Sequence, residues 1–364
     1  MLSKRISAAV TLVIIAVFGL ASIIKGIVLG IGFPSGADPA QRAEAFLREA
    51  FPLGRTLSGM RVSLSYALGG REQDSVFIGG DRLIENIQPP VSRYVQSNTN
   101  AIIDFASRQS VPVYVMLIPT ASAILQNETP RLADSDIYNQ KQFIEERYKS
   151  LSGKLLCVDV YTTLLEHSSQ YINYNTETLL TMQGGYFVYD KLSRRMGNTP
   201  YALSRFSIRY LTDTYYGSLY DRVEFRNIEP DVLSLYVYAG SSREFSVTHH
   251  GSRTREYNTL YPTHLYELGR PLDVYFGGIS PVVDVRQKGS GSARGSLLVF
   301  GDEQMRSVLP FLAHEYQRVT LADLSQMTPQ QLSNIEFSDY GAILFAYSVD
   351  TFMHSDAPSR MGLY

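Results

Sequence analysis

Three short segments of the sequence contain side chains that could carry out chemistry. Their hydroxyl and carboxylate groups could hydrogen-bond a polar ligand, and carboxylates that lie close together share a proton or bind a cation. The candidate residues are Thr120 in the first segment, Thr176, Glu177 and Thr178 in the second, and Asp302 and Glu303 in the third. These groups can act together only if the fold brings the three segments to one place.

The first and third segments each end an apolar run that is typical of a buried strand. These runs are "VPVYVMLIPT" and "SLLVFGDE", and further strands are predicted at "KLLCVDV", "RVTLAD" and "GAILFAY". Helical patterns alternate with the strands, which predicts an α/β fold with a mostly parallel sheet and helices on both faces. Ligands collect at the carboxyl ends of the strands in such sheets. A helix predicted from about Glu303 would add free N–H groups there, which favour an anion.

The second segment lies in "NYNTETLLTMQGGYFVYDKL", which has the build of a loop that runs into a helix. Gly184 and Gly185 are interpreted as the hinge, and the helix is predicted to run to Gly197. Between Thr176 and Thr181 the loop carries only Glu, Thr, Leu and Leu. These residues could not do the chemistry of a catalytic loop.

The N-terminus predicts a membrane anchor. Lys4 and Arg5 precede nineteen uncharged residues at 6–24, about the length that crosses a bilayer core as a helix. The two positive charges predict a cytoplasmic N-terminus. An uncleaved anchor is favoured over a signal peptide because the apolar region is long and no clean small-x-small site follows it. We therefore expect a single-pass protein of the cell membrane.

The rest of the chain is predicted to be extracytoplasmic. The expected parts are an anchor at 1–33, a juxtamembrane linker with helices at 34–70, and one domain at 71–364, in which about 200–290 forms an irregular, β-rich inserted subdomain. Within the linker region, one helix is predicted near its start and a second from about Met60 to Leu68.

The composition is that of a globular protein and gives no support for nucleic-acid binding. Of the 364 residues, 45% are hydrophobic and 19% are charged, and the net charge is −2. No basic stretch clusters with aromatic residues. Cys157 is the only cysteine, so no disulfide forms within the chain. Its apolar surroundings predict an inert, buried side chain.

The chain resembles the DHHW protein family, bacterial membrane-anchored relatives of the alginate O-acetyltransferase type of SGNH hydrolase. The family motif Thr-Asp-His-His-Trp-Thr-x-x-Gly-Ala-Tyr is similar to Thr-Glu-Thr-Leu-Leu-Thr-Met-Gln-Gly-Gly-Tyr at 176–186. A second family element, a strand ending in Asp-Ser that leads to Pro-Phe-Leu on a helix, is similar to 302–312. The stretches "VFIGGDRLIEN", "YVMLIPT", "YYGSLYDR", "PDVLSLY" and "LADLSQM" follow in family order. The resemblance implies an SGNH-hydrolase-like three-layer core.

The resemblance also implies a catalytic triad, from which this chain departs. The acid falls on Glu177, the base on Leu179 and the nucleophile on Glu303, and Thr178 and Leu180 take the neighbouring His and Trp positions. Triad chemistry needs a hydroxyl that attacks and an imidazole that takes its proton. Losing Ser or His alone from such a triad costs on the order of a million-fold in turnover. We therefore expect no triad catalysis.

If the family fold holds, Glu177, Asp302 and Glu303 converge in the former catalytic pocket, with Ser307 nearby. Glu303 is then an acidic residue in the first turn of a helix, a member of a proton-sharing or Arg306-paired cluster, or a metal ligand. The first interpretation is favoured, and we expect neither a metal nor a cofactor.

Relocated catalysis is an alternative. His249 and His250, in "SVTHHGSR", are the only adjacent histidines, and they could approach the pocket with Ser307 or Thr120 as the hydroxyl. Paired histidines in an irregular loop are more often solvated or bonded to backbone, which makes this the weaker hypothesis.

The leading functional expectation is a membrane-anchored, extracytoplasmic pseudoenzyme. It would bind a cell-envelope polysaccharide or support a membrane-bound O-acyltransferase in glycan acetylation, and the partner is implied by the resemblance alone. An active O-acetylesterase or O-acetyltransferase with relocated residues is one alternative. A structural docking protein of the envelope is the other.

Overall fold

The computed structural model describes Ala21 and residues 54–363, except for 131–136, 241–243 and 290–293. Apart from Ala21, the predicted membrane span lies outside these residues, as does the first helix of the predicted linker. Among the described residues, no helix combines the length and the apolar character that crossing a bilayer requires.

Strands and helices alternate along most of the described chain. The strands are β1 (Glu72–Gln73), β2 (Val76–Ile78), β3 (Leu83–Glu85), β4 (Val113–Ile118), β5 (Leu156–Val158), β6 (Phe206–Tyr215), β7 (Asp231–Tyr238), β8 (Glu244–His250), β9 (Thr254–Tyr257), β10 (Val282–Lys288), β11 (Arg294–Gly301), β12 (Tyr316–Ala322) and β13 (Ala342–Ser348). The α-helices are α1 (Gly54–Ala67), α2 (Ser92–Ser107), α3 (Ala121–Ile124), α4 (Gln140–Leu151), α5 (Tyr161–Glu166), α6 (Met182–Arg195), α7 (Ser218–Val223), α8 (His264–Glu267), α9 (Met305–Glu315), α10 (Pro329–Ser333) and α11 (Val349–His354).

The main sheet has eight strands in the order β5-β4-β13-β11-β12-β10-β8-β9. Neighbours from β5 to β12 are parallel, and those from β12 to β9 are antiparallel. The parallel part therefore places the carboxyl ends of β4, β11 and β13 side by side. This arrangement confirms the predicted α/β fold with a mostly parallel sheet.

The apolar runs in the sequence reflect strands that are covered on both faces. Every residue of β4 is buried, and so is all of β13 after its first residue. Helix α2 supplies part of this cover through Phe105, whose ring meets Phe300 and Phe345 edge-on at centroid distances of 6.0 and 5.5 Å. Helices α6 and α9 contact each other, with the rings of Tyr189 and Phe311 stacked at 5.5 Å.

The region at 200–290 differs from its prediction as an inserted subdomain. Strands β8, β9 and β10 belong to the main sheet, with Val247 opposite Val285 and Val285 opposite Val319. In β8, Phe245, Val247 and His249 are buried while the residues between them are not. This alternation lets short antiparallel strands extend a parallel core with one face turned inward. Strands β6 and β7 form a separate two-stranded ribbon.

Three smaller expectations also need correction. Helix α1 begins at Gly54, before the predicted start at Met60, and α9 begins at Met305, after the predicted start at Glu303. Cys157 is half-buried because β5 is an edge strand of the sheet. Its partial burial still raises the pKa of the thiol to about 11, so it stays protonated at neutral pH.

The chain divides into two compact units. One contains the residues up to 74 together with 220–228, and the other contains 75–219 and 229–364. In the first unit, α1 packs on the segment 220–228. The ring of Tyr66 lies 4.9 Å from that of Phe225, and a Cβ on Gly59 would come within 2.7 Å of the carbonyl oxygen of Glu224.

The glycine pair of the motif lies inside α6, and so it is not a hinge before the helix. A Cβ on Gly184 would overlap the carbonyl oxygen of Ile172, and one on Gly185 would overlap that of Ser307. The hydroxyl of Thr181 caps the helix by accepting from the N–H of Gly184 at 3.2 Å. The two glycines are therefore required by the close approach of α6 to its neighbours.

We predict that Gly185→Ala destabilises the protein. Helix propensity alone would favour alanine by about 1 kcal/mol, but overpacking against backbone atoms typically costs about 1–3 kcal/mol, and the carbonyl of Ser307 cannot rotate away. Thermal unfolding should show a melting temperature several degrees lower. Gly80→Ala is the control, because no atom lies within 4 Å of its Cβ. Equal melting temperatures for the two variants would contradict the prediction.

Candidate functional site

A buried carboxylate on β7 holds the loop that carries the first motif. Asp231 accepts hydrogen bonds from the backbone N–H groups of Asn175 at 2.6 Å and Thr176 at 2.8 Å, and from the hydroxyls of Thr176 and Tyr171. The side chain is fully buried, and burial raises its pKa even though these donors lower it. Thr176 was predicted as a pocket residue, and its hydroxyl is committed to Asp231.

Glu177, at the position of the triad acid, is surrounded by hydrogen-bond donors. Its carboxylate accepts from the hydroxyl of Tyr215 at 3.0 Å, from the N–H of Ser218 at 2.9 Å and from the Ser218 hydroxyl. The N–H and hydroxyl of Thr178 donate to it at 2.7 and 3.1 Å. Glu177 therefore joins the motif loop to the start of α7, and no imidazole is among these partners.

The base position is apolar and packed. Leu179 is 6% exposed and lies in a small cluster with Tyr174, Tyr215 and Leu233. Its carbonyl oxygen accepts from the N–H of Tyr174 at 3.2 Å, which closes the loop on itself. Leu180, at the Trp position, belongs to the main core. Leu179, at the base position, and Leu180, directly after it, therefore anchor the loop in two separate apolar clusters.

The nucleophile position lies in the turn between β11 and α9. Asp302 accepts from the N–H of Ser348 at 2.7 Å and from that of Gln304 at 3.1 Å, so it ties the end of β11 to the end of β13. The Glu303 side chain, in contrast, is 60% exposed. A largely exposed carboxylate therefore stands at the nucleophile position, 3.8 Å from the Nε of Arg306.

Gln304 fixes the motif loop against this turn. Its side-chain oxygen accepts from the N–H of Leu180 at 3.1 Å, and its NH₂ group donates to the carbonyl oxygen of Thr178 at 3.1 Å. Gln304 is 7% exposed. One amide side chain thus supplies two hydrogen bonds across the former active site.

The three predicted segments meet around a cavity of about 190 Å³. Its lining includes four of the candidate residues, Thr120, Thr178, Asp302 and Glu303, and also Leu179 at the base position. The remaining lining residues are Glu85, Gln304, Ser348, Asp350 and Thr351. Larger clefts exist, such as one of about 360 Å³ beside α4, but that cleft contains no residue of either motif. The cavity of about 190 Å³ is called the motif cavity below.

Carboxylates dominate the charge of the motif cavity. Burial raises the pKa of Asp302, against the lowering by its hydrogen-bond donors. The pKa of Glu303 is raised by desolvation and by the like charges of Glu177 and Asp302, and Arg306 lowers it. Within the described part of the chain, no three His, Cys, Asp or Glu side chains are arranged to hold a metal ion.

Arg306 and Ser307 lie in the first turn of α9 but do not line the motif cavity. Nη1 of Arg306 donates to Asp273 at 2.9 Å, while its Nε lies 3.8 Å from Glu303. The alternative in which Arg306 pairs with Glu303 is therefore secondary to the ion pair of Arg306 with Asp273. Ser307 is buried, and its hydroxyl lies 3.2 Å from the carbonyl oxygen of Gln304, to which it donates.

The adjacent histidines lie on β8 and are not lining residues of the motif cavity. The ring nitrogens of His249 lie 3.0 Å from the Ser280 hydroxyl and 2.8 Å from the carbonyl oxygen of Phe276. His249 is 1% exposed, and burial lowers its pKa to about 4. His250 is exposed. In the described residues, no hydrogen bond joins either ring to Thr120 or Ser307, so the geometry gives relocated catalysis no support.

Sequence reasoning missed Asp231, Gln304 and Ser218, which position the site. Asp231 lies in "PDVLSLY" and Ser218 in "YYGSLYDR", two of the stretches that follow the family order. An acidic residue that starts an apolar strand is a signal for a buried acceptor. Gln304 had no comparable signal, since its role depends on a loop more than one hundred residues away.

The fold and the motif cavity define a mixed α/β protein with its candidate site at the carboxyl edge of a mostly parallel sheet. The sequence matches the DHHW protein family over residues 65–322, and the chain belongs to that family. Among curated protein sequences, none matches the chain.

Solved structures share the fold at low sequence identity. A DHHW family protein from Eubacterium siraeum has a TM-score of 0.67 at 16% identity, with 80% of this chain and 96% of that one covered. PatB1 from Bacillus cereus has a TM-score of 0.62 at 15% identity, with coverages of 78% and 99%. A structure of the same PatB1 with a sulfonyl adduct has a TM-score of 0.59 at 14% identity, with coverages of 76% and 96%.

We predict that Asp231→Asn lowers the free energy of unfolding. Four groups donate hydrogen bonds to the two carboxylate oxygens of Asp231. The amide of the substituted side chain has only one oxygen, and its NH₂ group cannot accept from the remaining donors. Leaving a buried donor unpaired costs about 1–3 kcal/mol. Chemical denaturation should show this loss, whereas the exposed control Asp213→Asn should change little. A neutral effect of Asp231→Asn would show that the loop does not depend on this carboxylate.

Proposed function

We propose that the chain is a membrane-anchored, extracytoplasmic member of the DHHW family that lacks triad chemistry and binds a cell-envelope glycan in the motif cavity. It acts beside a membrane-bound O-acyltransferase and holds the glycan for acetylation without transferring the acyl group itself. Membership in the family supports this context, because DHHW proteins resemble the alginate O-acetyltransferase type.

The observation that carries the proposal is a cavity at the triad positions that lacks both the imidazole base and the nucleophilic serine of a triad. Hydroxyls of Thr120, Thr178 and Ser348 belong to its lining residues, but no histidine does. Leu179 occupies the base position and is fixed in an apolar cluster. Glu303 places a carboxylate where the hydroxyl of a triad nucleophile would stand. The walls can therefore bind a polar molecule but cannot activate a nucleophile as a triad does.

The charge of the motif cavity favours a particular class of glycan. Four of its lining residues are carboxylates, namely Glu85, Asp302, Glu303 and Asp350, and none is Lys or Arg. A uronic acid would be repelled at this short range. Sugar hydroxyls and free amines can donate to carboxylates, and charge-assisted hydrogen bonds are the stronger kind. The proposed ligand is thus a neutral or amino-bearing glycan.

The purified full-length protein should hydrolyse p-nitrophenyl acetate no faster than a heat-denatured blank. The double variant Leu179→His/Glu303→Ser should gain turnover, because it places an imidazole and a hydroxyl in one cavity. Leu179→His alone serves as the matched control, since it lacks the hydroxyl. If the native protein hydrolyses the ester and keeps this activity in the His249→Ala and His250→Ala variants, the proposed loss of catalysis is wrong. The alternative that catalysis has moved to the histidines of β8 is then wrong as well.

Glucosamine oligomers should bind the full-length protein more tightly than N-acetylglucosamine oligomers, and galacturonate oligomers should bind least. Glu303→Gln should weaken binding of the amine ligand by about two- to fivefold, the usual size for an exposed ion pair. Asp213→Asn, outside the motif cavity, is the charge-matched control. Calorimetric titration measures all three ligands, and preferential binding of galacturonate would rule out the assigned glycan class.

Binding of the glucosamine oligomers should weaken as the pH falls from neutral toward acidic values. The pKa values of Asp302 and Glu303 both lie above their ordinary range. They therefore take up protons, and lose the charge that attracts an amine, at a higher pH than ordinary carboxyl groups do. Glu303→Gln should flatten this pH dependence, and an unchanged profile in that variant would exclude Glu303 from the site.

A further inference from the structure

The hydroxyl of Thr120 is held from behind the motif cavity by two buried side chains. The side-chain NH₂ group of Gln140 donates to the Thr120 hydroxyl at 2.7 Å and to the Ser122 hydroxyl at 3.2 Å. The two hydroxyl oxygens lie 3.1 Å apart. Gln140 and Ser122 are each 1% exposed, and neither lines the motif cavity. Thr120 is therefore the member of this cluster that faces the cavity.

The backbone fixes the orientation of the Gln140 amide. The N–H of Thr120 donates to the side-chain oxygen of Gln140 at 3.0 Å. The opposite end of the amide, which carries both hydrogens, must then face the two hydroxyls. The oxygens of Thr120 and Ser122 thus each accept one hydrogen bond from Gln140.

Two hydroxyl hydrogens remain, and only one of them fits between the two oxygens. If the other belonged to Ser122, it would be buried without an acceptor, because the Ser122 hydroxyl meets only Thr120 and Gln140 among the described residues. Burying an unpaired donor is costly. Ser122 therefore donates to Thr120, and the hydrogen of Thr120 is left to point into the motif cavity.

The other hydroxyls of the motif cavity are committed within the protein. Thr178 donates to a carboxylate at 3.1 Å, and Ser348 donates to Thr351 at 2.9 Å. The hydroxyl of Thr351 is in turn hydrogen-bonded to Asp302. Among the lining residues that the structure describes, Thr120 is thus the one whose hydroxyl hydrogen has no acceptor in the protein.

We propose that Thr120 donates a hydrogen bond to a hydroxyl or ring oxygen of the bound glycan, with Gln140 and Ser122 as positioning residues. Thr120 acts only as a donor, because Gln140 and Ser122 fill both lone pairs of its oxygen. The inference rests on the glycan binding of the proposed function and adds a fixed donor to a site dominated by carboxylates. The carboxylates select the amine, and Thr120 sets where the sugar lies.

Calorimetric titration of the purified full-length protein with glucosamine oligomers tests this assignment. Thr120→Val removes the donor and should weaken binding about three- to tenfold, the usual effect of one neutral hydrogen bond. The factor should be equal at neutral and acidic pH, and equal for N-acetylglucosamine oligomers, because a hydroxyl does not titrate and does not need the amine. Thr120→Ser keeps the hydroxyl and should restore most of the affinity. Thr99→Val, at a buried threonine outside the motif cavity, is the matched control.

Three outcomes would contradict the inference alone. A changed shape of the pH profile in Thr120→Val would show that Thr120 acts through the carboxylates. Tighter binding in Ser122→Ala would show that the native Thr120 hydrogen is directed at Ser122. If Glu303→Gln weakens binding and Thr120→Val does not, the proposed function stands and the donor role of Thr120 is wrong. Absence of binding to any of these oligomers by the native protein would overturn both.

Discussion

The rest of the candidate site depends on the buried carboxylate of Asp231. It receives the N–H groups of Asn175 and Thr176 and two hydroxyls, and these donors offset the cost of burying a charge. These bonds set the direction in which the backbone runs from Thr176 to Glu177. Because Asp231 lies outside the motif, the loop keeps its shape whether or not residues 178–180 can do chemistry. The scaffold and the reaction are therefore separable in this fold.

The nucleophile turn shows the same separation. Asp302 joins the ends of β11 and β13, and Gln304 bonds the motif loop through both the oxygen and the NH₂ group of its side-chain amide. Neither task needs a nucleophile at the intervening position. Glu303 can point to solvent without disturbing either set of bonds, and its exposure avoids the penalty that a fully buried, unpaired carboxylate would incur. The position that defines catalysis in a triad thus has few structural constraints here.

Sequence patterns predicted the elements that are buried on both faces and missed those that depend on distant partners. Strands β4, β11 and β13 show as continuous apolar runs because they lie inside the sheet. Strand β8 buries alternate residues only, and neither its pairing with β10 nor the pairing of β10 with β12 is visible in local sequence. The meeting of Thr120, Thr178, Asp302 and Glu303 was predictable from the carboxyl-end rule and the family resemblance. The choice of Asp273 as the partner of Arg306 was not, because it depends on a residue on another segment and on side-chain rotamers.

The hydroxyls of the motif cavity indicate how it would select a ligand. Thr120 accepts from the Gln140 side chain at 2.7 Å, and the hydroxyl of Ser348 lies 2.9 Å from that of Thr351. These groups are bonded before any ligand arrives, so the walls are preorganised and little ordering remains to oppose binding. The groups that still face solvent must then discriminate between ligands. Glu303 is such a group, because its side chain lies in the turn between β11 and α9 and is 60% exposed. A residue that abolishes triad chemistry can in this way become the residue that chooses the glycan.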